Sequence, residues 1–281
     1  MYDDACLSEP AALQRAVGKL RVSFKRRGEA TVLDGLHQEG CLKARFPRGA
    51  SRGWLDVTTL NVSGGIAGGD RLDSVFTLGE GTQATIAAQA AERFYRALPG
   101  AQPSRVRSVI EIASGAAGEW LPQETILFDR CALERRLDVD LAADASFLGV
   151  ELLVFGRAAM GERVNTARLR DLIRIHRDGK LLLHDAIRLD DDVDVVMQHP
   201  ATGNGARAVA TLVYVAPRAE VALESVRDAL SAGAVEAAAS AWDGMLVARF
   251  LSFDSAAVRR ALIAVLDVLR ASRPLPRVWL C

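Results

Sequence analysis

The stretch Asn61-Val62-Ser63-Gly64-Gly65-Ile66-Ala67-Gly68-Gly69-Asp70-Arg71 is the one whose residue types most invite a chemical reading. Glycine-rich loops cradle phosphates through backbone N–H groups, but the required parts are missing here. A P-loop ends in Gly-Lys-Ser/Thr, whereas Asp70 follows Gly69. A dinucleotide fingerprint needs glycine at its third position, and counting from Gly64 that position is Ile66. The segment after Asp70 reads as strand, not helix, and the Asp70 carboxylate would repel a phosphate. Two readings stay open. One is a tight backbone crossing that needs glycine's missing Cβ. The other is a loop presenting Asp70 to a ligand.

Acidic residues inside apolar strand text are the second chemical signal. Glu124 lies within Leu121–Phe128, Glu151 within Phe147–Phe155, and Asp185 follows Leu181-Leu182-Leu183. A carboxylate in such a setting must be paired, protonated, hydrated or bound to a cation. Pairing with an arginine is one outcome; a wet internal path for a cation is the other. Other chemistries lack their signatures. The histidines are His37, His176, His184 and His199, with no H-E-x-x-H and no Cys/His cluster for zinc. His184 and Asp185, adjacent on a strand, must face opposite ways. Asp190-Asp191-Asp192-Val193-Asp194 lacks the glycine and terminal glutamate of a calcium loop and reads as a solvated acidic turn. Ser63 is not in a nucleophile elbow, because Asn61 fills the first position.

The elements that must position these residues are mostly strands. Leu133, Leu137, Val139 and Leu141 alternate with polar residues, and only Arg135 is out of place on the apolar side. Asp178-Gly179 between apolar runs predicts a hairpin, since both central residues of a type I′ turn need positive φ. Ala241–Phe253 reads as one strand. Two helices are expected late in the chain. One begins near Pro217 with Ala219, Leu223, Val226 and Leu230 on one face and ends at Gly233. The other is capped by Asp254-Ser255, carries Val258, Leu262, Val265 and Leu269, and stops before Pro274. The expected organisation is a single domain over 1–281, strand-rich from 20 to 215 and mixed α/β from 216 to 281. The tail with Leu275, Val278, Trp279 and Leu280 either folds back on the core or offers apolar surface to a partner.

Composition removes whole classes. The chain of 281 residues balances 35 Lys+Arg against 35 Asp+Glu, so no overall field draws it to nucleic acid. No apolar run approaches the roughly 18 residues of a membrane helix. The acidic start, MYDDACLSEP, is unlike a signal peptide. Cys6, Cys41, Cys131 and Cys281 are widely spaced, without a disulfide-dense pattern. A cytoplasmic protein is expected.

Several blocks, taken together, resemble one family. Leu60–Leu72 resembles the G-G-x-x-G-G-D signature of the urease accessory protein UreD (UreH) family. Arg93-Phe94-Tyr95-Arg96 is similar to its K/R-F-Y-R segment, and Glu119–Phe128 to its E-W-L-P-x-[DE]-x-I-x-F block. Gly156-Arg157 with Gly161-Glu162 and the ending Pro276–Trp279 also match. Val62-Ser63 stand where many members carry Pro-Pro, and Glu92 where some carry serine or a small residue. The resemblance implies a mainly β, β-helix-like or stacked-sheet fold of many short strands with two α-helices in the C-terminal third. It implies a non-enzymatic scaffold that joins UreF, and the GTPase UreG through it, to apo-urease. It also implies a water-filled passage for transient Ni²⁺, with no tightly bound cofactor. Matching positions for such a passage are Asp70, Glu92 and Asp185, with Glu124 and Glu151 in matching blocks. Single carboxylates and waters suit a conduit, because several imidazoles or thiolates would hold Ni²⁺ too tightly. The competing expectation is a β-rich hydrolase with an acid–base carboxylate pair roughly 5–9.5 Å apart in an open cleft.

Overall fold

A computed structural model describes residues 14–47, 51, 53–231, 233 and 235–280. In chain order the strands are β1 (Val17–Arg27), β2 (Ala30–Gly40), β3 (Leu42–Arg45), β4 (Trp54–Asn61), β5 (Arg71–Leu78), β6 (Gln83–Ala88), β7 (Glu92–Phe94), β8 (Ser104–Ile112), β9 (Ala117–Leu121), β10 (Thr125–Leu127), β11 (Ala132–Leu141), β12 (Ser146–Phe155), β13 (Thr166–Arg177) and β14 (Lys180–Asp192). Helix α1 (Val193–Gln198), β15 (Ala208–Val215), helix α2 (Leu223–Ser231), β16 (Glu236–Trp242), β17 (Met245–Ser252) and helix α3 (Ser255–Leu269) complete the chain.

The strands fall into two sheets. The first has the order β14-β13-β11-β8-β5-β1-β2, and the second β16-β17-β15-β12-β9-β6-β4-β3. From β4 to β13 the chain passes back and forth between them. Successive strands in each sheet are therefore parallel, as in the ladders β5–β8–β11–β13 and β4–β6–β9–β12. This is the β-helix-like winding expected, closed by antiparallel hairpins at both sheet edges.

A core lies between the sheets, built from Leu20, Phe76, Ile110, Leu133 and Leu169 on one side and Val57, Ile86, Phe147 and Leu153 on the other. A second core lies on the far face of the second sheet. There Val150, Leu152, Leu212 and Phe250 meet Val226 and Leu230 of α2 and Val258, Leu262 and Val265 of α3. β12 is thus buried on both faces, which is why it reads as a continuous apolar run.

Local chemistry agrees with the sequence at most points. Asp178 (φ 52°) and Gly179 (φ 72°) turn the β13–β14 hairpin, and the Ala256 N–H donates to Asp254 Oδ1 at 2.9 Å to cap α3. Three expectations change, and one open choice is decided. The single strand over 241–253 is two strands, because Asp243 (φ 50°) and Gly244 (φ 70°) form another hairpin turn. The acidic run 190–194 is not a free turn: it ends β14 and opens α1, a third helix. The helix after Pro217 starts with a 3₁₀ turn, Ala219–Ala222, and becomes α-helical only at Leu223. The tail folds back. Trp279 is buried and its Nε1–H donates to the Leu121 carbonyl at 2.9 Å, leaving Leu280 exposed.

Candidate functional site

The crossings 62–70, 95–103, 122–124, 128–131 and 156–165 lie at one end of the winding, and they bring the singled-out blocks together. Ile66 bridges Phe94, β7 pairs with β10, and β10 pairs with β12, all in parallel. Glu92 is thereby level with Thr125, and Thr125 with Leu153.

The glycine loop is a tight crossing. At Gly65, φ is 140° and an added Cβ would sit 2.3 Å from the Tyr95 ring. Asp70 is 4% exposed, and its two oxygens accept from the Ala16 N–H (2.8 Å) and the Ala67 N–H (2.7 Å). Both oxygens thus serve the backbone. Asp70 fastens the loop to the start of β1, and it does not line the cavities below.

Those cavities lie in series. A pocket of about 80 Å³ at the surface is lined by Asn61, Gly64, Gly65, Gln89 and Glu92. Glu92 also lines a cavity of about 100 Å³ between the sheets, with Thr125, Trp120, Arg135 and Glu151. Glu151 in turn lines a third cavity of about 10 Å³ with Asp171, Asp185 and Thr211. That last space holds about one water. The charged side chains of the series, Glu92, Arg135, Glu151, Asp171 and Asp185, come from β7, β11, β12, β13 and β14.

Arg135 sits at the centre. Its Nη1 lies 2.6 Å from Glu151 Oε2 and donates to Thr125 Oγ1 at 2.7 Å. Its Nε and Nη2 hold the two oxygens of Asp171 at 2.8 and 2.6 Å, a bidentate fork. Trp120 Nε1–H donates to the other Glu151 oxygen at 2.8 Å. Burial works against the Arg135 charge, but Asp171 and Glu151 outweigh it and raise the pKa above the usual guanidinium range. Burial pushes the Glu151 carboxyl up; Arg135 pulls it down, and neighbouring Asp171 pushes it up again.

Glu92 has a gentler setting. Asn61 Nδ2 donates to its Oε2 at 3.1 Å, while burial raises its pKa. A carboxyl whose folded pKa is raised binds its proton more tightly in the fold. Stability then declines as pH climbs from the ordinary value near 4.5 through the higher folded value. Glu92→Gln is therefore expected to keep the fold intact at neutral pH and to flatten that decline, read as melting temperature against pH.

The remaining acids are anchored. Asp185 accepts from Arg249 at 2.7 and 3.1 Å, with Arg249 half exposed, while His184 points outward. Glu124 accepts from Arg259 Nη1 at 2.9 Å, and the same guanidinium stacks over Trp279 and donates to its carbonyl. Glu124 thus ties α3 and the tail to the β9–β10 segment and is no part of the series. The structure adds Asp171, which sequence reading missed. Its signal was present: Asp171 falls on the apolar phase of Leu169, Ile173 and Ile175, as Arg135 does in β11. Among the described residues, no three His, Cys, Asp or Glu gather as a set able to hold a metal ion. Cys41 and Cys131 are buried free thiols, and burial pushes Cys131 up to about 12; Cys6 and Cys281 lie outside the described residues.

Comparison with known proteins adds a family. The family described as UreD urease accessory protein matches residues 16–280. Urease accessory protein UreD of Dinoroseobacter shibae is 45% identical over 268 residues, 95% of this chain and 93% of its own. Urease accessory protein UreD 3 of a Bradyrhizobium species (strain BTAi1) is 43% identical over 95% of this chain and 94% of its own. The UreD of Xanthobacter autotrophicus is 43% identical over 98% and 93%. Matches that run nearly end to end in both partners, together with the family blocks stacked at one end of the fold, make the chain a member of the UreD family of urease accessory proteins.

Proposed function

We propose that the chain is a non-catalytic scaffold that joins UreF, and through it the GTPase UreG, to apo-urease, and that its inter-sheet cavities conduct Ni²⁺ toward the urease active site. The observation that carries the conduit is the sharing of carboxylates: Glu92 belongs to the first and second cavities and Glu151 to the second and third. A divalent ion moving along such a series keeps an oxygen partner at each step. That limits the desolvation penalty, which is several kcal/mol per ion in a dry interior. Arg135 is a tethered cation in this path. Ni²⁺ passes Glu151 only if the guanidinium yields that carboxylate and keeps Asp171. The hydrolase alternative is less well supported, because Glu151 and Asp171 are buried and share one arginine rather than flanking an open cleft. Work beside apo-urease fits a cytoplasmic location. No described helix is long and apolar enough to cross a membrane.

The test pairs Glu92→Gln with Asp185→Asn, co-expressed with urease, UreF and UreG. Arg249 is half exposed, so losing its partner leaves a hydrated charge and little destabilisation. The double variant is expected to melt near the wild type, to co-purify with its partners, and to yield urease with several-fold less nickel by elemental analysis. Full nickel loading would refute the conduit while leaving the scaffold role standing.

A further inference from the structure

The outer face of the first sheet carries arginines in register across neighbouring strands. Arg71 is level with Arg105, Arg105 with Glu134, Glu134 with Arg170, and Arg170 with Arg188. One row of five strands thus presents four arginines and one glutamate. In the next row Asp73 is level with Arg107, and Arg107 with Arg136. Both rows point to solvent, because the residues next to them on their strands, such as Leu72, Leu133 and Leu169, fill the core.

Like charges directly opposite on neighbouring strands are destabilising. Arg71–Arg105, Arg170–Arg188 and Arg107–Arg136 are three such pairs on one face. Carboxylates answer part of the charge: Glu134 pairs with Arg105 at 3.2 Å and Arg170 at 4.0 Å, Asp190 with Arg188 at 2.6 Å, and Asp138 with Arg136 at 2.7 Å and Arg107 at 3.7 Å, which leaves the arginines of the rows in excess. A shallow groove of about 490 Å³ crosses this patch, lined by Arg105, Arg107, Arg170, Arg188, Glu134 and His184. The chain as a whole has no net charge, so the excess is local.

We infer that this arginine-striped sheet face is the docking surface for an acidic face of a protein partner in the maturation complex, a step that rests on the scaffold reading. Charge complementarity selects the occupant. A protein rim of carboxylates with some cations fits a face where Glu134, Asp73 and Asp138 interleave with arginine. A nucleic-acid backbone fits less well, because those carboxylates would repel its unbroken row of phosphates. A patch kept for binding at a cost to the fold also predicts a particular combination of effects: removing charge weakens association without weakening the protein.

The experiment replaces Arg71, Arg170 and Arg188 together, once by Gln and once by Glu, leaving the Arg105–Glu134 pair in place. Each chain is co-expressed with urease, UreF and UreG, captured, washed at rising salt, and melted separately. The triple-Gln chain is expected to melt at or above the wild-type temperature and to lose at least one partner severalfold. The triple-Glu chain should lose it completely, and the wild-type complex should release it as salt rises. Undiminished capture by the triple-Glu chain overturns the inference, and so does a triple-Gln chain that melts well below wild type. Salt-sensitive binding of a DNA duplex through these arginines, with protein capture unchanged, overturns it in favour of nucleic acid. A wild-type chain that captures none of the three proteins removes the scaffold reading and this inference together, whereas loss confined to the variants separates them.

Discussion

Arg135→Met will destabilise the fold by about 3–5 kcal/mol, the range for removing one partner of a buried ion pair. The reason is what remains behind. Glu151 and Asp171 are 8% and 7% exposed, and both take their charged hydrogen bonds from this one guanidinium. Without it the two carboxylates keep Trp120 as a donor to Glu151 and lose the one cation in contact with them among the described residues. The deficit depends on pH with a definite sign. Loss of Arg135 raises the folded pKa of Glu151 further, from a value that burial has already raised. The fold then binds more protons than the unfolded chain, so stability falls as pH rises above the ordinary carboxylate range. The gap to wild type should be widest near pH 8 and narrow toward about pH 5, measured by urea unfolding. Replacing Arg135, Glu151 and Asp171 together by apolar residues of similar volume should restore most of the stability, because no charge is left stranded. If the single variant unfolds like wild type at every pH, the triad is not the electrostatic centre its geometry describes.

Much of this was legible in the sequence, and the illegible parts have physical causes. The alternation of β11, the Asp178-Gly179 turn and the cap and stripe of α3 all express local rules, and each appears where those rules put it. Asp243-Gly244 obeys the same turn rule, but the apolar text on either side runs on as if unbroken, so the hairpin was hidden. The site was harder. A charge on the apolar phase of a strand says only that something must neutralise it. Which partner does so is set by how the strands stack, which brings together residues as far apart in sequence as Arg135 is from Glu151 and Asp171, and no local pattern encodes that. Arg135 meets Asp171 because β11 and β13 pair in parallel with these two residues level. It meets Glu151 because β12 faces it from the other sheet. The acids singled out from sequence therefore divided. Glu92, Glu151 and Asp185 line one series of cavities, Glu124 became an anchor for α3, and Asp70 turned to the backbone.

Asp70→Ala tests that last assignment, and its expected cost is about 2–4 kcal/mol, because two part-buried backbone donors each lose a charged acceptor at roughly 1–2 kcal/mol, the lower part of the range for an unsatisfied group. The Ala16 and Ala67 N–H groups lose their acceptor, and neither has a ladder bond to replace it: Ala16 precedes β1, and Ala67 lies inside the glycine loop. The damage should spread along the chain. Asp70 joins the loop to the entry of β1, and the Arg71 N–H donates to the Ala16 carbonyl at 3.0 Å beside it. Loosening this corner frees the loop whose Gly65 packs on Tyr95, and Ile66 then loses the frame that pairs it with Phe94. Asp70→Asn should recover only part of the loss, because one of its two terminal atoms becomes a donor facing a donor. The measurements are the melting temperature and amide hydrogen exchange at residues 66–70 and 16–18. A role confined to holding passing Ni²⁺ predicts the reverse: unchanged melting and exchange in both variants, with nickel delivery alone impaired. Destabilisation in the order alanine, asparagine, wild type would place Asp70 among the residues that build the mouth of the cavities rather than those that line them.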